Sequence, residues 1–255
     1  LEDNTSGASN VTIGYRCAKK NTTGNLNVAI GEEAALNNTT GTANVSIGAY
    51  SAHSQTVGAN NVALGNYSLY EADGVASTGH TAIGKEALYN TTTSANNTGL
   101  GYMAGSNITT GHTNTCIGKS SQASSATVNN EITLGNSDVA TLRCQVTSIT
   151  ALSDRRDKTD INTLDLGLDF INALKPVKFK WASREGIAKD GTYEAGFIAQ
   201  DFKQVQEDND ADYLKLVLES NPDKLEASPG KLIPILVKAI QDLSTKISIL
   251  EQKCI

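Results

Sequence analysis

Cysteine is scarce in this chain and unpaired in pattern. Cys17, Cys116, Cys144 and Cys254 lie far apart and form no CxxC, which argues against a zinc site or a disulfide framework and favours assembly in a reducing compartment. The three histidines, His53, His80 and His112, fall at unrelated positions, so neither a metal nor another cofactor is expected. No run of 18 or more apolar residues occurs, and membrane insertion by a helix is not expected. Excess positive charge is also missing: the net charge is −6, against the basic face that nucleic-acid binding requires. The chain opens at Leu1 without a methionine, as a fragment would, so the lack of a leader excludes little.

Proline is absent until Pro176, and the other three (Pro222, Pro229, Pro234) follow it. Charge is distributed the same way. Residues 1–152 hold 6 Lys and Arg with 9 Asp and Glu, whereas residues 153–255 hold 15 and 18. The two compositions divide the 255 residues into a segment 1–150 and a segment 151–255, each long enough to bury a core. The first is rich in Asn, Thr, Ser and Gly, a composition that alone would suit disorder.

Periodicity rules disorder out. Gly14, Gly31, Gly48, Gly65, Gly84, Gly101, Gly118 and Gly135 recur at intervals of 17, apart from one of 19. Each follows an Ile or Leu, and three residues before each stands Val, Thr or Ile, as in Val11, Val28, Thr81 and Ile132. A small residue such as Ala29, Ser46, Ala63 or Gly99 lies between. This reads as a short strand whose two larger side chains point inward, closed by a glycine turn. A second glycine recurs seven residues earlier, at Gly7, Gly24, Gly41, Gly58 and Gly111. One three-residue strand cannot bury a face alone, so successive coils must stack as a β-solenoid. The Asn-x-Ser/Thr sequons here (Asn10, Asn21, Asn44, Asn107) are what an Asn/Thr-rich repeat generates, and asparagine in turns has a simpler role in bonding nearby backbone.

The units Asn27-Val-Ala-Ile-Gly31 and Asn44-Val-Ser-Ile-Gly48 resemble the head repeats of trimeric autotransporter adhesins and β-roll segments of phage fibres, over about residues 7–137. That resemblance implies a homotrimer packed about a threefold axis. The small middle residues are expected to permit the close approach.

Residues 136–150 read as a closing strand region, with Val139, Leu142, Cys144, Val146 and Ile149 in rough alternation. Leu152-Ser-Asp-Arg-Arg-Asp-Lys-Thr-Asp-Ile161 follows. A serine and a lysine five apart mean little alone, and a polar linker is the plain reading. Ser153, Asp154, Arg156, Lys158 and Ile161 together, however, match the opening signature of the self-cleaving chaperone domain at the end of endosialidase tailspikes and many tail fibres. Pro176-Val-Lys-Phe-Lys-Trp181 and Gly196-Phe-Ile-Ala-Gln-Asp201 resemble that family's later motifs, in the right order, over roughly 151–255.

Carried over by position, the resemblance implies cleavage of the Leu152–Ser153 bond, with Ser153 as nucleophile, Lys158 as general base, and Asp154 and Arg156 as supporting residues. A free lysine, with a pKa of about 10.4, is a poor base near neutrality. Desolvation in an assembled trimer would free its amine. Arg156 nearby could add a like charge, while Asp154 and Asp157 would oppose the shift.

Beyond the junction, Leu164, Leu168, Ile171 and Leu174 have helical spacing up to Pro176. Residues 177–181 and 193–198 read as strands, and a helix is expected to begin at 200–205. Trp181 and Phe197 are expected in the core. From Pro229, Ile233, Leu236, Ile240, Leu243, Ile247, Leu250 and Cys254 step by three and four, an a/d seam on a helix of about 230–254. Ile at a with Leu at d by itself favours dimers, so the trimer expectation rests on the preceding segments.

The expected fold is therefore mainly β with a smaller α+β domain: a trimeric β-solenoid fibre shaft or head (1–150), then an intramolecular chaperone autoprotease domain (151–255) ending in a long coiled-coil helix. The expected function is a virion tail fibre, assembled in the host cytoplasm, whose partners are its own copies and a host surface receptor of glycan type. A bacterial trimeric adhesin would continue into a stalk and anchor. A glycan-degrading tailspike needs a carboxylate pair, and Glu32, Glu33, Glu71 and Glu86 look scattered.

Overall fold

The computed structural model describes residues 1–72, 77–145, 149–182 and 191–253. They fall into two compact units, Leu1–Ala140 and Thr141–Ile255.

In the first unit, each Val/Thr-small-Ile/Leu triplet is a three-residue strand: β1 (Val11–Ile13), β2 (Val28–Ile30), β3 (Val45–Ile47), β4 (Val62–Leu64), β5 (Thr81–Ile83), β6 (Thr98–Leu100), β7 (Thr115–Ile117) and β8 (Ile132–Leu134). They make one parallel sheet in sequence order. Register is one coil to the next without slip, Ile30 facing Ile47 and Ile47 facing Leu64. The longer 19-residue step leaves it intact, with Val62 opposite Thr81. This is the β-solenoid that the repeat predicts.

The direction of the side chains corrects the sequence reading. The small middle residues point into the coil: Ala29, Ala63 and Ala82 are fully buried, and Ser46 and Cys116 almost so. The flanking Val, Thr, Ile and Leu face outward, with Ile13 60% and Leu134 54% exposed. The coil interior is too narrow for large side chains along this wall. Its core is a thin column of alanines with Leu69, Leu88, Ile108 and Cys116, close-packed because each layer is almost identical to the next. The small residues therefore do not form the surface at which copies would meet.

Glycines serve the stacking in two ways. Gly31 has φ +134°, a conformation other residues resist. Gly24 has no such angle, yet a Cβ there would strike the Gly41 carbonyl oxygen of the next coil. The coils also hold non-glycine residues in the left-handed region, among them Tyr50 (φ 59°) and Tyr67 (φ 56°), at positions where stacking dictates the backbone.

Polar satisfaction inside so thin a solenoid comes from a buried asparagine ladder. The Oδ1 of Asn10, Asn27 and Asn44 accepts from the backbone N–H of Asn27, Asn44 and Asn61 at 2.9–3.0 Å. The amides of Asn27 and Asn44 donate to Gly41 O and Gly58 O, each at 2.8 Å. Every coil thus satisfies the backbone of the next.

His80 stands in this ladder where the repeat calls for asparagine. Its N–H donates to Asn61 Oδ1 at 2.8 Å, and its Nδ1 accepts from Asn97 N at 3.2 Å. Nε2 lies 3.0 Å from Ser94 O, so the ring is neutral with its proton on Nε2. Burial pulls the pKa from 6.5 down to about 4, against the raising effect of the Ser94 bond. Between those values the unfolded chain takes up a proton that the folded chain refuses. Stability from this site is therefore full above about pH 6.5 and falls by about 3 kcal/mol as the pH drops to about 4. His80→Asn should remove that slope and leave the variant more stable than the native chain at pH 5, read from urea unfolding. Parallel pH profiles for the two proteins would overturn the assignment.

The second unit contains α1 (Leu168–Ala173), β9 (Val177–Phe179), β10 (Glu194–Gly196), α2 (Ala199–Asp208), β11 (Val217–Leu218), β12 (Glu226–Ala227) and α3 (Ile233–Lys253). Strands β9 and β10 pair antiparallel, as do β11 and β12. Phe170, Leu174, Phe202, Val205, Leu216, Leu232 and Ile235 form its core. Phe197 packs on it, its ring 4.6 Å from that of Phe202. Trp181 does not belong to that core. It is 42% exposed, set edge-on to Phe179, because β9 ends two residues before it.

The described residues of 136–150 form no strand, against expectation. The triplet-glycine unit ends at Gly135, so no further coil continues the ladder. Val146 lies outside the described residues, as does Cys254. Helix α3 buries Ile235 and Ala239, while Ile233, Leu236, Ile240, Leu243, Ile247 and Leu250 are all exposed. The a/d seam therefore faces away from the helix's own core.

Candidate functional site

The junction residues are arranged by a single turn. Asp154, in extended conformation, caps a 3-10 turn over Arg155–Asp157, its carboxylate accepting from Arg156 N at 2.8 Å. Capping satisfies an amide that the turn leaves without a partner. The turn ends at Lys158, which is extended again (φ −124°, ψ 137°). Chain reversal over these few residues brings the Lys158 ammonium back to Ser153, where Nζ donates to Oγ at 2.6 Å.

Arg156 is turned to Asp154. Its Nη2 lies 2.6 Å and its Nε 3.1 Å from the Asp154 carboxylate oxygens. This pairing holds the Asp154 carboxyl below the usual carboxylate range and raises Arg156, the hydrogen bond between them being the main cause. The two supporting residues thus neutralise each other. The like charge that Arg156 could have set beside Lys158 is engaged at Asp154. Leu152 is fully exposed, and Ser153 through Asn162 are exposed as well. Among the described residues, nothing removes Lys158 from water.

A serine hydroxyl touching a lysine amine, with an unhindered peptide bond immediately before the serine, can carry acyl-transfer chemistry once the amine is neutral. The sequence brings out Ser153, Lys158, Asp154, Arg156 and Leu152. What it does not reveal is the capped turn. Its signal, an Asp two residues before an Arg at a helix-like start, is common in surface loops.

A different group escaped the sequence reading. Tyr50 and Tyr67 stack with centroids 5.0 Å apart, and His53, Tyr70 and Tyr89 form a second column at 5.1 Å spacings. Tyr67 and Tyr70 join the columns at 5.2 Å. Read down the repeat, these residues recur at 17 and 19, and that column reading was the available signal.

Residues 153–210 match the model of a peptidase family described as chaperone of endosialidase. The match begins at Ser153 and takes in the capped turn, α1, β9, β10 and α2, less than a quarter of the chain. No curated protein and no solved structure matches the chain. A segment that matches this family's model, following a β-solenoid in the chain, is a tail-fibre-like arrangement.

Proposed function

We propose that this chain is part of a virion tail fibre whose second unit drives assembly of three copies and then cuts itself free between Leu152 and Ser153. The observation that carries the reading is the 2.6 Å contact of Lys158 Nζ with Ser153 Oγ, at the first residue of the chaperone-family match.

In the proposed reaction, a neutral Lys158 takes the Ser153 hydroxyl proton as Oγ attacks the Leu152 carbonyl carbon. The C–N bond breaks, and the proton passes to the Ser153 nitrogen. The acyl group now sits on Oγ as an ester, and water cleaves it to a Leu152 carboxylate and a free hydroxyl. One water is consumed in all. The neighbouring carbonyl needs no substrate binding, which removes the largest entropic cost. The amine must lose its proton first. Packing copies around the exposed turn would take it out of water, where a charge is costly, so cleavage would follow correct assembly.

Two exposed apolar features support self-association. One is the outward row of Ile and Leu at the third position of the strands, exposed at Ile13, Leu64, Leu100, Ile117 and Leu134 and half-buried at Ile30, Ile47 and Ile83. The other is the a/d seam of α3, Ile233 to Leu250. Continuous apolar surfaces of this kind mark interfaces, and a parallel closed assembly covers both in every copy. A host surface glycan is the proposed receptor.

The test is intact mass with light scattering on purified protein. A new N-terminus at Ser153 is expected, on a fragment of roughly 11 kDa by its share of the 26.8 kDa chain. The uncut assembly should weigh about 80 kDa, three times the chain. A stable uncut monomer would sink the reading. A dimer would leave the seam of α3 in charge and remove the threefold packing.

A further inference from the structure

We infer that the twin aromatic columns on the solenoid are a carbohydrate site, which binds a pyranose ring of a surface glycan where the columns end at Tyr89. The inference rests on the host-attachment reading above and deepens it by locating the receptor site.

The two columns share one face, because each residue sits two or five positions after a repeat glycine. Along the first run Arg16, Glu33, Tyr50, Tyr67, Glu86 and Met103; along the second, His53, Tyr70, Tyr89 and Ser106 follow one another. Ring stacks at about 5 Å spacing match the rise of the coils, so the backbone sets their separation. Four of the first unit's tyrosines are gathered in this way, although aromatic residues are only 5% of the chain.

At one end the stack is closed by charge. Glu33 is ion-paired with Arg16 and lies 3.3 Å from His53 Nε2. At the other end it stops short, as the second column falls from Tyr89 to Ser106 and the first from Tyr67 to Glu86. There a hollow of about 540 Å³ opens, lined by Tyr67, Tyr70, Glu86, Tyr89, Asn90 and Met103 together with Ser106.

The lining has two chemistries at once. Tyrosine rings offer flat apolar surface and a hydroxyl each. Glu86, held on one oxygen by Lys85 at 3.1 Å, offers a carboxylate. Asn90, whose Nδ2 donates to Ser106 O at 2.7 Å, presents its amide at the rim. A sugar ring matches this pairing, with an apolar C–H face to lie on an aromatic ring and equatorial hydroxyls to bond a carboxylate or amide at its edge. A pocket of aromatic walls with a few convergent polar groups is the general form of a small-ligand site. A purely apolar partner would make no use of the second Glu86 oxygen, and a nucleic acid would bring its phosphates against the Glu86 carboxylate.

The test uses the full chain with chitotetraose, maltotetraose, sialyllactose and a purified bacterial O-polysaccharide, by saturation-transfer NMR and titration calorimetry. At least one probe should bind, with saturation transferred from tyrosine protons. Tyr89→Ser and Glu86→Gln should each weaken it about tenfold or more, while Tyr213→Ala in the second unit leaves it unchanged. Glu86→Gln keeps size and fold should Tyr89→Ser disturb packing. No binding to any probe, or binding that survives both substitutions, overturns the site. A change of oligomeric state in the variants without loss of sugar binding also overturns it, because the face would then be a seam between copies. Bacterial-cell adsorption separates this inference from its premise. Native protein that binds sugar but no cells keeps the site and sinks the attachment reading, and cell binding undiminished in both variants does the reverse.

Discussion

Ser153→Ala should yield no fragment at all, however long the protein is held after assembly. The hydroxyl oxygen is the only heavy atom removed, and Ser153 is exposed, so the fold loses nothing measurable. The second member of the pair separates chemistry from scaffold. Lys158→Met keeps most of the side-chain length but removes the amine 2.6 Å from Oγ, so cleavage should stop or slow by several orders of magnitude. Both variants should reach the same oligomeric mass as the native chain, because the apolar stripe and the α3 seam are untouched. A fragment from Ser153→Ala would point to a contaminating protease and end the dyad proposal. Cleavage at native rate in Lys158→Met would remove the base and leave the serine acting through another group.

A second large effect is expected inside the solenoid. Asn44 is 3% exposed. Its Nδ2 donates to Gly58 O at 2.8 Å, and its Oδ1 accepts from Asn61 N at 3.0 Å. Asn44→Leu preserves volume and leaves both backbone groups buried without a partner. Each such group costs about 1–3 kcal/mol, so a loss of about 2–6 kcal/mol is expected, read by urea unfolding. Thr40→Ser, on an exposed turn residue, should stay within about 0.5 kcal/mol of native. Equal stability for the two variants would show that the asparagine ladder carries no weight.

The coil was legible because its constraints repeat. A glycine at φ +134° and a β-branched residue three before it are dictated by stacking, and eight copies make the period plain. Which way the side chains point was not legible. Alternation tells which residues share a face, not which face is inside, and the expectation that larger apolar residues turn inward failed at Val28, Ala29 and Ile30. The interior is narrower than a pair of Ile side chains, and this is a property of the closed coil rather than of any triplet.

At the junction, Ser153 and Lys158 were found through the pattern of the whole segment, since a spacing of five carries no geometry by itself. The capped turn that closes that distance depends on Asp154 choosing Arg156, a local contest among several charges. The tyrosine columns are not legible along the chain, because their members lie 17 or 19 residues apart and meet only across the coils. The described residues of 136–150 show the reverse error: alternation is present, but a strand needs a partner in register, and the repeat has already ended.

Because each coil repeats the pairing of the one before, and a 19-residue step does so as faithfully as a 17-residue one, length in this molecule is inherited in whole units. An in-frame duplication or deletion of one repeat would lengthen or shorten the shaft by a single strand spacing, about 4.8 Å, and disturb no other coil. The reach of the solenoid can thus change by gain or loss of whole repeats, while a change that alters the spacing of a triplet from its glycine would break the register. Variation in shaft length among descendants of this gene should come in steps, with few intermediates.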